Sequence, residues 1–160
     1  ILRVHYFCFT IFRIYDKFIQ IITGVNAMKV DTIKVLMIED SLGDGQYIST
    51  IMKEEDWIDI HVEQAFRLSS GIDKLKKGQY DVILLDLTLP DSFGIETVKK
   101  LLAEVSDVPV VIMTGLEDEE LGMKAVQLGA QDFLVKLQID GKTLVRSMVY
   151  AMARKQAVKS

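Results

Sequence analysis

Cysteine is almost missing from this 160-residue chain: Cys8 stands alone, which excludes an internal disulfide framework and any zinc centre built on several thiolates. Histidine is nearly as scarce, and His5 and His61 are too few for a His-rich metal centre. Only two prolines occur, and no Gly/Pro/Ser-rich linker, low-complexity tract or long repeat divides the sequence. Excess positive charge is absent too. The formal net charge of −4 argues against a nucleic-acid surface spread over the whole molecule, so no direct nucleic-acid binding is expected. No clean apolar run reaches the length of about 20 residues that a membrane-spanning helix needs. What remains is the composition of an ordinary globular protein, 49% hydrophobic and 26% charged, long enough for one domain with a real core. A reducing cytoplasm fits this cysteine usage best.

The opening 27 residues differ from the rest. They carry Arg3, Arg13 and Lys17 against Asp16 alone, leaving 16 basic against 22 acidic residues in the remainder. Charges interrupt this stretch too often for a membrane span, and no small-residue cleavage site follows an apolar core. Met28 stands just ahead of the first clear strand, so the domain is expected over 28–160, with 1–27 a non-domain extension of upstream or appended sequence. An amphipathic arm that docks on a partner or a membrane is the functional alternative.

From residue 33 onward, apolar runs of strand length alternate with amphipathic stretches of helix length. Strands are predicted over IKVLMI (33–38), IDIHVEQA (58–65), VILLD (82–86), VPVVIM (108–113) and DFLVK (132–136). Helices are predicted over 43–56, 68–79, 92–105, 117–130 and about 140–157. In the first helix Tyr47, Ile48, Ile51 and Met52 share one face. His61 is expected to face outward as a bystander. Five βα units of this kind imply an α/β, doubly wound fold with a five-stranded parallel sheet and helices on both faces. VILLD, the most apolar strand, is expected at the centre.

In open α/β sheets ligands gather at the carboxyl ends of the strands. Here those ends hold Glu39–Asp40, Asp86, Thr114 and Lys136. With strand order 2-1-3-4-5, the four strands concerned are neighbours, and the five residues converge on one rim. Taken singly, each has a plain explanation as a cap, a turn residue or a surface charge. Taken together, they form a chemical set. Three adjacent carboxylates repel one another, and a hard divalent cation such as Mg²⁺ relieves that repulsion with few protein ligands. A carboxylate in such a site can act as a nucleophile towards phosphorus, while a lysine and a hydroxyl stabilise the transferring group.

These segments resemble the receiver domain of two-component response regulators, over roughly residues 32 to 156. VLMIEDS is similar to the family's first-strand acidic pair, which implies that Glu39 and Asp40 carry Mg²⁺. VILLDLTLPDSFGIE is similar to the phospho-acceptor segment, with Asp86 phosphorylated and also a metal ligand, and Pro90 and Gly94 at the family's loop positions. The backbone carbonyl of Thr88 would be a further metal ligand. VIMTG implies Thr114 as the switch hydroxyl, with Gly115 leaving access to the phosphate; GAQDFLVK implies Phe133 as the switch aromatic and Lys136 as the phosphate-contacting lysine. The resemblance also implies the flavodoxin-like (βα)5 fold of the CheY-like superfamily.

Two departures stand out. Leu137 follows Lys136 where the family commonly has a cis proline, and a cis bond before a non-proline costs about 2.5–4 kcal/mol. Phe133 replaces a frequent tyrosine and lacks its hydroxyl.

By this resemblance, a sensor histidine kinase or phosphotransfer protein donates a phosphoryl group to Asp86. The surface of the fourth helix, fifth strand and fifth helix then changes for a downstream protein partner, an effector domain or a second copy of the chain. The protein is thus expected to be a signalling switch rather than an enzyme. Thr88 and Leu116, two past Asp86 and Thr114, hold no amide or acid to position water, which implies a slowly hydrolysing aspartyl phosphate. Two rivals are weaker. An aspartyl-intermediate phosphatase usually needs a second acid where Thr88 stands, and a flavin-binding module would find its phosphate repelled by Glu39, Asp40 and Asp44. The tail ARKQAVKS fits either a solvated helix end or the start of a coiled-coil linker.

Overall fold

A computed structural model describes residues 32–116 and 118–159. The expectations for residues 1–27 lie outside the described residues. Five strands form the main sheet: β1 (Thr32–Ile38), β2 (Asp59–Ala65), β3 (Val82–Asp86), β6 (Val110–Thr114) and β7 (Asp132–Val135). Between β3 and β6 lies a two-residue-by-two-residue ribbon, β4 (Thr88–Leu89) against β5 (Ser92–Phe93). The helices are α1 (Leu42–Lys53), α2 (Leu68–Lys77), α3 (Ile95–Glu104), α4 (Glu119–Leu128) and α5 (Gly141–Lys159). The main sheet has the order β2-β1-β3-β6-β7, with every pairing parallel. Counting only its own strands, this is the expected 2-1-3-4-5 arrangement with the VILLD strand at the centre.

The pleat explains how one apolar run serves two cores. Successive strand residues point to opposite faces. Val35 and Met37 of β1 therefore join Val82, Leu84, Val111 and Met113 beneath α1 and α5. Leu36 and Ile38 join Ile83, Leu85 and Ile112 on the face covered by residues from α2, α3 and α4. All five residues of β3 are buried, and each large aliphatic side chain so buried is worth about 1.5–3 kcal/mol. That is why its sequence is continuously apolar rather than alternating.

Local chemistry sets the helix boundaries. Ser41 caps α1, its hydroxyl accepting from the Asp44 N–H at 3.1 Å. Arg67 precedes helix α2 and supplies no side-chain cap. The helix's first free N–H groups, those of Leu68 and Ser69, instead donate to the Asp91 carboxylate at 2.9 and 3.0 Å. Gly94, with φ of 64°, turns the chain from the ribbon into α3, a conformation that favours glycine. The ribbon therefore takes the residues that helical periodicity had assigned to the start of α3.

Other expectations shift by small amounts. Val108 and Pro109 precede β6 rather than forming it, and α1 ends at Lys53. Tyr47, assigned to the buried face of α1, is 48% exposed, while Ile48, Ile51 and Met52 are buried as expected. His61 is exposed. No peptide bond among the described residues is cis, so Lys136–Leu137 is trans. Among the same residues no helix is long and apolar enough to cross a membrane.

Candidate functional site

Strand register brings the site together. Ile38 of β1 lies beside Leu85 of β3, so the next residues along, Glu39 and Asp86, leave the sheet side by side. Asp86 itself pairs with Met113, one residue before Thr114. Thr114 pairs with Val135, and the Lys136 N–H donates to the Thr114 carbonyl at 2.9 Å. Four strand ends thus deliver a glutamate, an aspartate, a threonine and a lysine to one edge, and Asp40 follows Glu39 into the same space.

The carboxylates of Glu39, Asp40 and Asp86 each offer an oxygen within 4.8 Å of the others. Glu39 is fully buried and Asp86 nearly so, whereas Asp40 is exposed. Lys136 is the balancing charge. Its Nζ lies 2.6 Å from Glu39 Oε2, 3.0 Å from Asp86 Oδ2 and 3.3 Å from Asp44 Oδ2. The other oxygen of Glu39 accepts from the Ser41 N–H at 3.0 Å, and Asp86 Oδ1 accepts from the Thr88 N–H at 3.2 Å.

Burial pushes the Glu39 carboxyl up to about 7, in spite of the opposing hydrogen bonds from Lys136 and Ser41. Burial alone would lower the Lys136 pKa, but its contacts with Glu39 and Asp86 outweigh that and hold it above the usual lysine value. The lysine is therefore a permanent cation among acids.

The remaining candidates lie around this cluster. The Thr114 hydroxyl is buried and donates to the Leu134 carbonyl at 3.4 Å. Phe133 is half-buried, its ring lying against Gly122 of α4 and packing on the core beneath the α2–α4 face. Thr88 sits in the ribbon, exposed, with its N–H turned to Asp86. Leu116 lies in the turn after β6, 53% exposed.

Two contacts escaped the sequence reading. Asp44 reaches Lys136 from the first turn of α1, a through-space contact that strand-end logic does not cover. Gln64, on edge strand β2, donates from Nε2 to the carbonyls of Glu39 at 2.8 Å and Ser41 at 3.3 Å. A glycine inside α1, Gly45, was the one sequence signal of that close approach.

An all-oxygen donor set with three carboxylates suits a hard divalent cation such as Mg²⁺ better than a soft one. The clustering of three acids favours such an ion, and its charge would hold Glu39 ionised against the burial that raises its pKa.

Comparison with known proteins gives a family for this fold. The sequence profile of the response regulator receiver domain matches residues 35–148. The transcriptional regulatory protein CiaR of Streptococcus pneumoniae is 36% identical over 104 residues, covering 65% of this chain and 45% of CiaR. CusR of Escherichia coli, also a transcriptional regulatory protein, is 33% identical over 103 residues, covering 64% of this chain and 44% of CusR. The chain thus spans under half the length of these curated relatives. Among solved structures, the signal receiver domain of a LuxO repressor protein from Vibrio parahaemolyticus has a TM-score of 0.67 at 26% identity, covering 80% of this chain and 95% of that one.

Proposed function

The chain belongs to the response regulator receiver domain family of two-component systems, and on that footing we propose that Asp86 accepts a phosphoryl group from a phosphohistidine. The observation that carries the proposal is the placing of Asp86: at the end of the central strand, 3.0 Å from Lys136 and grouped with Glu39 and Asp40.

Glu39, Asp40, Asp86 and the Thr88 carbonyl would hold Mg²⁺, which when bound supplies positive charge against the carboxylates and the phosphoryl oxygens. The Asp86 carboxylate oxygen forms a bond to phosphorus as the phosphorus–nitrogen bond to the donor imidazole breaks, and the electron pair returns to that nitrogen. An acyl phosphate on Asp86 results. Lys136, already on Asp86, moves its contact to a phosphoryl oxygen. Thr114 gives up the long bond to Leu134 and donates to another phosphoryl oxygen. Thr114 and Phe133 lie on the neighbouring strands β6 and β7, so this movement is read out at the surface of α4, β7 and α5.

The donor is a sensor histidine kinase or phosphotransfer protein in the cytoplasm. The reader is a downstream protein, an effector domain or a second copy of the chain at the α4–β7–α5 surface. Because Thr88 and Leu116 hold no amide or acid to position water, the phosphorylated state is long-lived.

Mass spectrometry of the intact protein after incubation with acetyl phosphate and Mg²⁺ tests this reading. One phosphoryl group is expected on the wild type and none on Asp86→Asn. No gain on the wild type, or an undiminished gain on the variant, overturns it. Rapid loss of the group in the presence of Mg²⁺ refutes the roles given to Thr88 and Leu116.

A further inference from the structure

The three carboxylates of the site do not all sit on rigid elements. Asp86 ends a buried strand, but Glu39 and Asp40 belong to the short link between β1 and α1, and mutual repulsion works to spread that link. Its backbone is held from the edge of the sheet. The Glu39 N–H donates to the Ala65 carbonyl at 2.9 Å, continuing the ladder to β2. One residue earlier on β2, the Gln64 side-chain amide donates to the carbonyls of Glu39 at 2.8 Å and Ser41 at 3.3 Å. Those two carbonyls flank Asp40, the exposed acid of the set.

The amide has a prepared seat. It rests against Gly45 in the first turns of α1, where a Cβ would overlap the Gln64 amide atoms. Glycine inside a helix costs about 1 kcal/mol relative to alanine. The place that a side chain would fill is occupied by Gln64. An amide also suits the task electrostatically, because it donates to two carbonyls without adding charge to a crowded acidic site.

We propose that Gln64 is a positioning residue for the divalent-cation site: its amide, seated on Gly45, ties the carbonyls of the residues on either side of Asp40 and fixes that carboxylate relative to Glu39 and Asp86. This rests on the reading of the acidic cluster as a cation site. A cation then meets a set already assembled and does not have to order the link itself. Groups that hold metal ligands in place typically matter by 10- to 100-fold in affinity.

Isothermal titration of the full chain with Mg²⁺ alone tests the proposal, using wild type, Gln64→Glu, Gly45→Ala and the double variant. Gln64→Glu keeps the size but removes both donors; Gly45→Ala keeps the amide but unseats it. Each is expected to weaken Mg²⁺ binding about tenfold, and the double variant no further, because both changes undo the same contact. Thermal unfolding in EDTA separates this from a merely structural role, which would lower the melting temperature while leaving Mg²⁺ affinity unchanged. Equal affinity in wild type and both single variants overturns the inference while leaving the cation site intact. Absence of Mg²⁺ binding by the wild type overturns the underlying reading instead.

Discussion

Neutralising Asp40 should make the protein more stable and less responsive to Mg²⁺ at the same time. The carboxylates of Glu39, Asp40 and Asp86 lie within 4.8 Å of one another, and Lys136 pairs with Glu39 and Asp86. Two unit charges at that distance repel by about 3.5 kcal/mol at an effective dielectric constant of 20 and by about 0.9 kcal/mol in water. Asp40 is exposed, so values near the lower end apply to its two repulsions. Asp40→Asn, measured at pH 8 in EDTA, is therefore expected to gain about 1–2 kcal/mol, or roughly 2–8 °C in Tm for a domain of this size. Wild type recovers the difference when metal binds: at ten times Kd, mass action supplies about 1.4 kcal/mol. The variant should recover little of it. Paired thermal melts or urea titrations, with EDTA and with Mg²⁺, measure both quantities. A variant less stable than wild type in EDTA would show that Asp40 is not held against repulsion. An unchanged Mg²⁺ increment would show that Asp40 is not a ligand. Asp86→Asn sharpens the comparison, because it also loses the 3.0 Å pair with Lys136 and should gain less.

Lys136→Met should cost on the order of 3 kcal/mol in EDTA, since it strips the partner from fully buried Glu39; adding Glu39→Gln should recover much of that loss in a double-mutant cycle. Gly141→Ala places a methyl against the backbone of Ile51, which cannot rotate aside as a side chain can; a loss of about 1–3 kcal/mol or more is expected by chemical denaturation. Asp140 caps α5 through the Thr143 N–H at 2.7 Å, and its bonds to Thr143 hold its pKa below the ordinary aspartate value. A depressed folded pKa means that the cap's contribution is present above the unfolded value near 3.9 and fades as pH falls through the folded one. Asp140→Ala should thus cost about 1 kcal/mol at pH 7 and progressively less below pH 4, as followed by urea titrations across that range.

The alternation of strand-length and helix-length runs carried the topology, because each βα unit leaves a local pattern in the sequence. It missed the β4–β5 ribbon, since two residues per strand are too few for any period to register. Strand ends likewise exposed Glu39, Asp40, Asp86, Thr114 and Lys136 as a set, for their location depends on register in a parallel sheet and little else. Contacts made through space left weaker marks. Asp44 reads as an ordinary first-turn acid until α1 is packed beside Lys136, and Gln64 reads as an ordinary residue on an edge strand. The orientation of the Thr114 hydroxyl towards Leu134 depends on its rotamer, on which sequence is silent. Tyr47 misled for a simpler reason: it borders the apolar stripe of α1, and an aromatic with a polar tip sits comfortably at such a margin.

The Asp91 cap has a consequence for the order of folding. Helix α2 is preceded by Arg67, which brings no capping side chain, and its leading N–H groups are satisfied by a residue beyond β3. A peptide covering α2 alone should accordingly show little helix, ten residues being too few to offset nucleation without help. In the intact chain, α2 can consolidate only after the segment following Asp86 has docked, so substitutions along α2 should speed unfolding more than they slow folding. The loop that carries the proposed chemistry would then also complete the neighbouring helix, and the last part of the molecule to become rigid, packed on β1, β2 and α3, would lie away from the surface that must later move.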